Sequence, residues 1–153
     1  MTDAFGYWLA GLIDGEGCFR VHRQKGGTRC PYYAPSFSLK LREDDAPLLD
    51  EIIRVTGIGR RGSDTKRSKG SNPCAIWRVD TRASTEALVE ILDRYSLLSR
   101  KARDYLLWRE AVIVRRSMPR GNRWHGGRDW TPLIDLKRRI EEARAYVPYK
   151  EAA

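Results

Sequence analysis

The sequence is poor in the residues that build covalent or metal frameworks. Its three cysteines, Cys18, Cys30 and Cys74, are an odd set with no CxxC or CxxxC spacing, which encodes neither a disulfide scaffold nor a zinc site. They read as reduced, small apolar residues. No apolar run approaches the roughly 20 residues of a membrane-spanning helix, and no charged-then-apolar segment opens the chain, so a soluble, intracellular protein with no membrane partner is expected. Acidic residues are in deficit, 20 against 29 basic ones, giving a net charge of +9 and a pI near 9.8. That excess points to a polyanionic partner and away from acidic substrates. The basic residues are 22 Arg and 7 Lys, a bias that suits bidentate phosphate and guanine contacts and that a GC-rich genome would also produce. With no transit-like segment, it leans towards a bacterial or phage cytoplasm.

A chain of 153 residues, 41% hydrophobic, fits one core, expected over residues 1–147 with a short tail at 148–153. Ala4 to Asp14 carries Phe5, Leu9, Leu12 and Ile13 on one helical stripe, with Asp3 or Thr2 as N-cap and Gly15 and Gly17 as stops. Cys18 to Gln24 and Tyr32 to Leu41 then alternate with period two around a turn marked by Gly26, Gly27 and Pro31, which predicts a hairpin. Asp44 or Asp45, followed by Pro47, starts a second helix with Leu48, Leu49, Ile52 and Ile53 on its stripe; Gly57 and Gly59 end it. Ile58 to Gly62 is a short third strand, residues 60 to 73 a basic Gly- and Ser-rich loop, and Ala75 to Asp80 a fourth strand closing a second hairpin. Helices follow after Ser84 or Thr85, over Ser99 to Arg115, and from Thr131 with Pro132 to about Tyr146; the aperiodic segment 117–130 between the last two is a loop. Hairpins rather than βαβ crossovers predict an α+β layer, an antiparallel sheet with helices on one face.

Leu9 to Gly17 reads LAGLIDGEG. Gly11 and Gly15 lie four apart, with Trp8 one turn earlier, so one helical face is bare enough for a second backbone to approach. Asp14 and Glu16 stand at the helix C-terminus, where the macrodipole disfavours negative charge and a cation offsets the cost.

This string, with the helix, hairpin, helix, hairpin, helix order over residues 4 to about 116, resembles the LAGLIDADG homing endonucleases and departs from the family name at Gly15 and Glu16. The resemblance implies the αββαββα fold, whose sheet forms a DNA-binding saddle. It implies a homodimer seamed along Trp8, Gly11 and Gly15 that cuts both strands of double-stranded DNA at a palindromic or near-palindromic site. One acid per subunit, here Glu16, and the neighbouring Gly15 carbonyl would hold Mg²⁺, with Mn²⁺ as a substitute; Asp14 matches a structural position. Most family members have Asp where Glu16 stands. The Gln and Lys that usually flank the active site match Leu41 and Ser99, so Arg42, Arg100 or Lys101 would substitute from adjacent positions. The same resemblance leaves open an intron RNA maturase, with its own intron RNA as partner, or a DNA-binding regulator that does not cut.

Burial separates the strand faces. Phe19, Val21, Phe37, Leu39, Trp77 and Val79 pack under the helices, so Arg20, His22, Gln24, Ser36, Ser38, Lys40, Arg78 and Asp80 face outward together, as a surface for the major groove, with Tyr32 at its margin. Lys25, Arg29, Arg60, Arg61, Lys66, Arg67 and Lys69 in the flanking loops extend it towards phosphates. Arg120, Arg123, Trp124, His125 and Arg128 could add a flanking clamp, with Trp124 and Trp130 anchoring that segment to the body.

Overall fold

A helix that must end against a strand needs a residue with no side chain at the corner, and Gly17 supplies it. The computed structural model describes residues 1–24, 32–64, 72–119 and 129–145. In it α1 (Asp3–Glu16) starts at Thr2, whose hydroxyl accepts from the Phe5 amide at 3.3 Å. Of the two expected stops, Gly15 and Gly17, the helix passes the first and ends at the second. It runs to Gly17, where a Cβ would lie 2.6 Å from the Ile13 carbonyl and 2.8 Å from the Phe37 ring.

The chain then enters β1 (Gly17–Gln24), which pairs antiparallel with β2 (Tyr32–Arg42) so that Phe19 stands opposite Phe37. A short 3-10 turn, Glu43–Asp45, leads into α2 (Ala46–Thr56). Next come β3 (Arg60–Asp64) and β4 (Cys74–Val79), also antiparallel. The third strand lies two residues later than expected and takes in the start of the expected loop. The reason is Ile58: it is buried, its carbonyl accepts from the Trp77 indole at 3.0 Å, and Gly59 turns the chain before the ladder can begin.

Three helices complete the fold: α3 (Arg82–Arg94), α4 (Lys101–Ser117) and α5 (Thr131–Ala143). Thr81, not Ser84 or Thr85, caps α3, its hydroxyl accepting from the Ser84 amide at 3.1 Å while Thr85 is buried inside the first turn. Helix α5 is capped at Trp130, one residue before the expected Thr131, and ends short of Tyr146.

The sheet order is β1-β2-β4-β3 with every neighbouring pair antiparallel, which is the expected α+β layer. Phe19 is the hub of its covered face, with ring centroids 5.0 Å from Phe37, 5.6 Å from Tyr105 and 5.2 Å from Trp108. The Trp108 indole donates to the Ser36 carbonyl at 3.0 Å and so ties α4 to β2. Strand β1 is an edge, and α5 covers it: the Arg144 guanidinium donates to the Phe19 carbonyl and pairs with Asp104 at 2.9 Å. Trp130 packs against Tyr32 and Tyr33 with Arg115 over its ring, the expected anchoring role. Trp124, the clamp residues Arg120, Arg123, His125 and Arg128, and the tail lie outside the described residues.

Candidate active site and nucleic-acid interface

The last carbonyls of an α-helix have no partner within it and form the negative end of its dipole. Helix α1 has no basic residue in its last turn, and the cation comes from elsewhere in the chain. The Lys101 ammonium, at the start of α4, donates to the Gly15 carbonyl at 2.8 Å. Glu16 follows, exposed, at the point where the chain enters β1. Of the three basic residues expected to flank the acid, Lys101 is the one the fold brings to the Gly15 carbonyl, next to Glu16 in the chain. Arg42 is held by a bidentate pair with Asp44, at 3.1 and 2.6 Å, and Arg100 donates to the Arg144 carbonyl at 3.4 Å. Leu41 packs against the core.

Asp14 accepts from the Leu98 and Ser99 amides at 2.9 and 2.8 Å and from the Ser99 hydroxyl at 2.7 Å. It therefore tethers the end of α1 to the segment before α4 and sets the position of Lys101. Partial burial pushes its carboxyl up, but the Ser99 hydroxyl, the two amides and the nearby Lys101 charge outweigh this and hold it below the usual range. A carboxyl depressed only in the folded chain stabilises the fold above its ordinary value, and the contribution is lost as pH falls through the folded value. Asp14→Asn is expected to lower the thermal midpoint at pH 7 and to converge on wild type below about pH 4. Equal midpoints at pH 7 would deny the tether any role.

The face of α1 bearing Trp8, Gly11 and Gly15 is open. Trp8 is 41% exposed, and a Cβ at Gly11 or Gly15 would meet nothing within 4 Å.

On the uncovered face of the sheet the alternation places a groove of about 340 Å³, lined by Arg20, His22, Ser36, Phe37, Ser38, Lys40, Asp64, Ile76, Arg78 and Asp80. Every described strand residue expected to face outward lies here except Tyr32, which packs with Trp130. The Arg20 guanidinium rests on the Cys18 sulfur at 3.1 Å, and His22 Nδ1 lies 3.0 Å from the Ser36 hydroxyl. Burial and the neighbouring Arg20 charge lower the His22 pKa against the opposing pull of Asp80 and the Ala34 backbone. At pH 7 the ring is therefore neutral, with one donor and one acceptor nitrogen.

Arg61 does not belong to this surface. Period-two alternation along β3 sends Arg60 to the groove side, beside Arg78, and Arg61 to the other, where it pairs with Asp50 of α2 at 2.9 Å. Three lining residues went unpredicted: Phe37, expected under the helices, Asp64, assigned to a loop, and Ile76, an apolar residue buried on the polar face between Lys40 and Gly62. The strand pattern of 75–80 already held the signal for Ile76, in phase with Arg78. The side chain of Gln24 and residues Lys25, Arg29, Lys66, Arg67 and Lys69 lie outside the described residues.

Comparison with known proteins settles the family. The pattern of the LAGLIDADG endonucleases matches residues 9–112. The chain belongs to the LAGLIDADG endonuclease family. Among solved LAGLIDADG structures it is similar to the meganuclease I-AabMI bound to uncleaved DNA, at 29% identity over 72% of this chain and 36% of that one, with a TM-score of 0.60. The homing endonuclease I-TnaI shares the fold, with a TM-score of 0.62 and 22% identity over 91% of this chain and 97% of its own. A probable intron-encoded endonuclease of Schizosaccharomyces pombe, Cox1-I1b, is 29% identical over 72% of this chain and 28% of its length. The LAGLIDADG chain thus spans about a quarter of the length of the curated relatives it matches. Those relatives come from Schizosaccharomyces pombe, Neurospora crassa and Podospora anserina, so the bacterial or phage lean gains no support. Among the described residues no helix is long and apolar enough to cross a membrane.

Proposed function

We propose that two copies of this chain pair along α1 and make a site-specific double-strand break in DNA at a palindromic or near-palindromic site, by hydrolysis that requires a divalent cation. The observation that carries this reading is the Lys101 ammonium held on the Gly15 carbonyl, the residue before the exposed Glu16, where α1 runs into the groove-lining strand β1. An intron- or intein-borne gene would use such a break to promote its own copying.

The donors at this point are all oxygen, and among the described residues no three His, Cys, Asp or Glu side chains gather. A hard, sparse set of this kind fits Mg²⁺, or Mn²⁺ in its place, which takes few protein ligands and completes its shell with phosphate oxygens and water. When bound, the ion supplies Lewis acidity towards the scissile phosphate and relieves the repulsion between two Glu16 carboxylates at one seam. Glu16 and the Gly15 carbonyl are the holding groups. Lys101, beside that carbonyl, would place positive charge where charge grows on the phosphate in the transition state.

Arg20, His22, Ser36, Ser38, Arg78 and Asp80 would read base edges, and Lys40 and Arg60 would meet phosphate. The experiment is sedimentation with duplexes selected from a randomised library in Ca²⁺. Two chains on a near-palindromic duplex are expected; one chain on an asymmetric site contradicts the pairing. Gly11→Leu puts a side chain into the seam and is expected to weaken pairing by about 1–3 kcal/mol, roughly ten- to a hundredfold. An undiminished dimer would move the seam elsewhere.

A further inference from the structure

A surface that binds a polyanion has no obvious use for carboxylates, yet the groove holds two. Asp64 lies 2.7 Å from Lys40 Nζ, and Asp80 lies 2.5 Å from the Arg60 guanidinium. Their side chains are 25% and 27% exposed against 45% and 60% for the cations they hold, so the acids sit deeper and the bases arch over them. The register fixes both pairs on the groove side: Arg60 stands beside Arg78, and Asp64 beside Cys74. Arg78, between them, makes no ion pair among the described residues.

Stability is a weak reason for these pairs, since ion pairs this exposed contribute little. Their effect on an approaching duplex is larger. Before Lys40 or Arg60 can meet a phosphate its pair must open, which for Arg60 leaves the Asp80 carboxylate facing phosphate oxygens or the acceptor atoms of base edges. Only amino donors, N4 of cytosine or N6 of adenine, satisfy an exposed carboxylate in the major groove. We infer that Asp64 and Asp80 are specificity residues: they keep Lys40 and Arg60 neutralised against arbitrary DNA and release them where the duplex offers amino donors in exchange. The device is a penalty on the wrong partner rather than a reward for the right one. It rests on the DNA-reading role proposed above.

The test is the salt dependence of binding to a mixed-sequence duplex that lacks the selected site. Asp80→Asn frees Arg60 for a phosphate contact and is expected to steepen the slope of log K against log salt by about 0.9. Asp64→Asn frees at least Lys40 and is expected to steepen it by about 0.9 or more, the two effects adding in the double variant. The affinity gain is greatest at low salt. Lys40→Met in the Asp64→Asn background is expected to take back about 0.9 of that steepening. Asp50→Asn frees Arg61 on the opposite face and is expected to change nothing. Unchanged slopes in the Asp64 and Asp80 variants, or an equal steepening by Asp50→Asn, would overturn the inference. A wild-type chain that binds no duplex at any salt would instead overturn the DNA-reading role itself, and this inference with it.

Discussion

Glu16→Gln is expected to reduce double-strand cleavage by at least about 10³-fold, or about 4 kcal/mol of transition-state stabilisation, while DNA binding in Ca²⁺ stays within a few-fold of wild type. The substitution keeps the shape of the side chain and removes its charge, at a position exposed to solvent. The fold has therefore nothing to lose, while the group proposed to hold a divalent ion is gone. Lys101→Met is expected to cost less, about 10²-fold, because the Gly15 carbonyl remains in place and only the fixed positive charge is lost. Cleavage and binding assays on the same preparations separate these outcomes. If Glu16→Gln cut at the wild-type rate, the site would not lie at the end of α1.

Gly59→Ala is expected to destabilise the fold by about 3 kcal/mol, lowering the thermal midpoint by about 10 °C. Gly59 has φ of +77°, and a Cβ there would lie 2.3 Å from the Trp77 indole nitrogen and 2.6 Å from the Arg78 carbonyl. A side chain thus meets both a disfavoured backbone conformation and a backbone atom that cannot retreat without breaking the β3–β4 ladder. The Trp77 indole would also lose its bond to Ile58. Thermal melting by circular dichroism checks this. Because β3 carries Arg60 and Asp64 into the groove, DNA binding should fall with stability, and a variant of wild-type midpoint would show that the turn relaxes freely.

The elements that bury a regular apolar face were legible in the sequence. The stripe of α1 and the alternation in β1, β2 and β4 each follow from local periodicity, and the outward set of the sheet follows from the inward one. Strand β3 was not legible in the same way. It is an edge strand of Arg, Gly, Ser and Asp, polar on both faces, so no period marks it and β4 imposes its register.

Glu16 was singled out through the motif, and Lys101 was one of three basic candidates that the sequence alone left open. Lys101 reaches the Gly15 carbonyl across 86 residues of sequence, and what holds it there is the tether between Asp14 and Ser99. A position-by-position match sets Ser99 against the usual lysine, whereas in space Ser99 caps Asp14 and the residue two further on presents the charge. Likewise, Arg60 and Arg61 are indistinguishable as neighbouring basic residues until the ladder sends them to opposite faces.

The most direct measurement is cleavage of a randomised duplex library by the wild-type chain and by Glu16→Gln, in Mg²⁺ and in Ca²⁺, with the broken ends sequenced. The account predicts double-strand breaks by the wild type in Mg²⁺ alone, converging on one near-palindromic sequence. Broken ends that fail to converge, or that persist undiminished in Glu16→Gln, would contradict it.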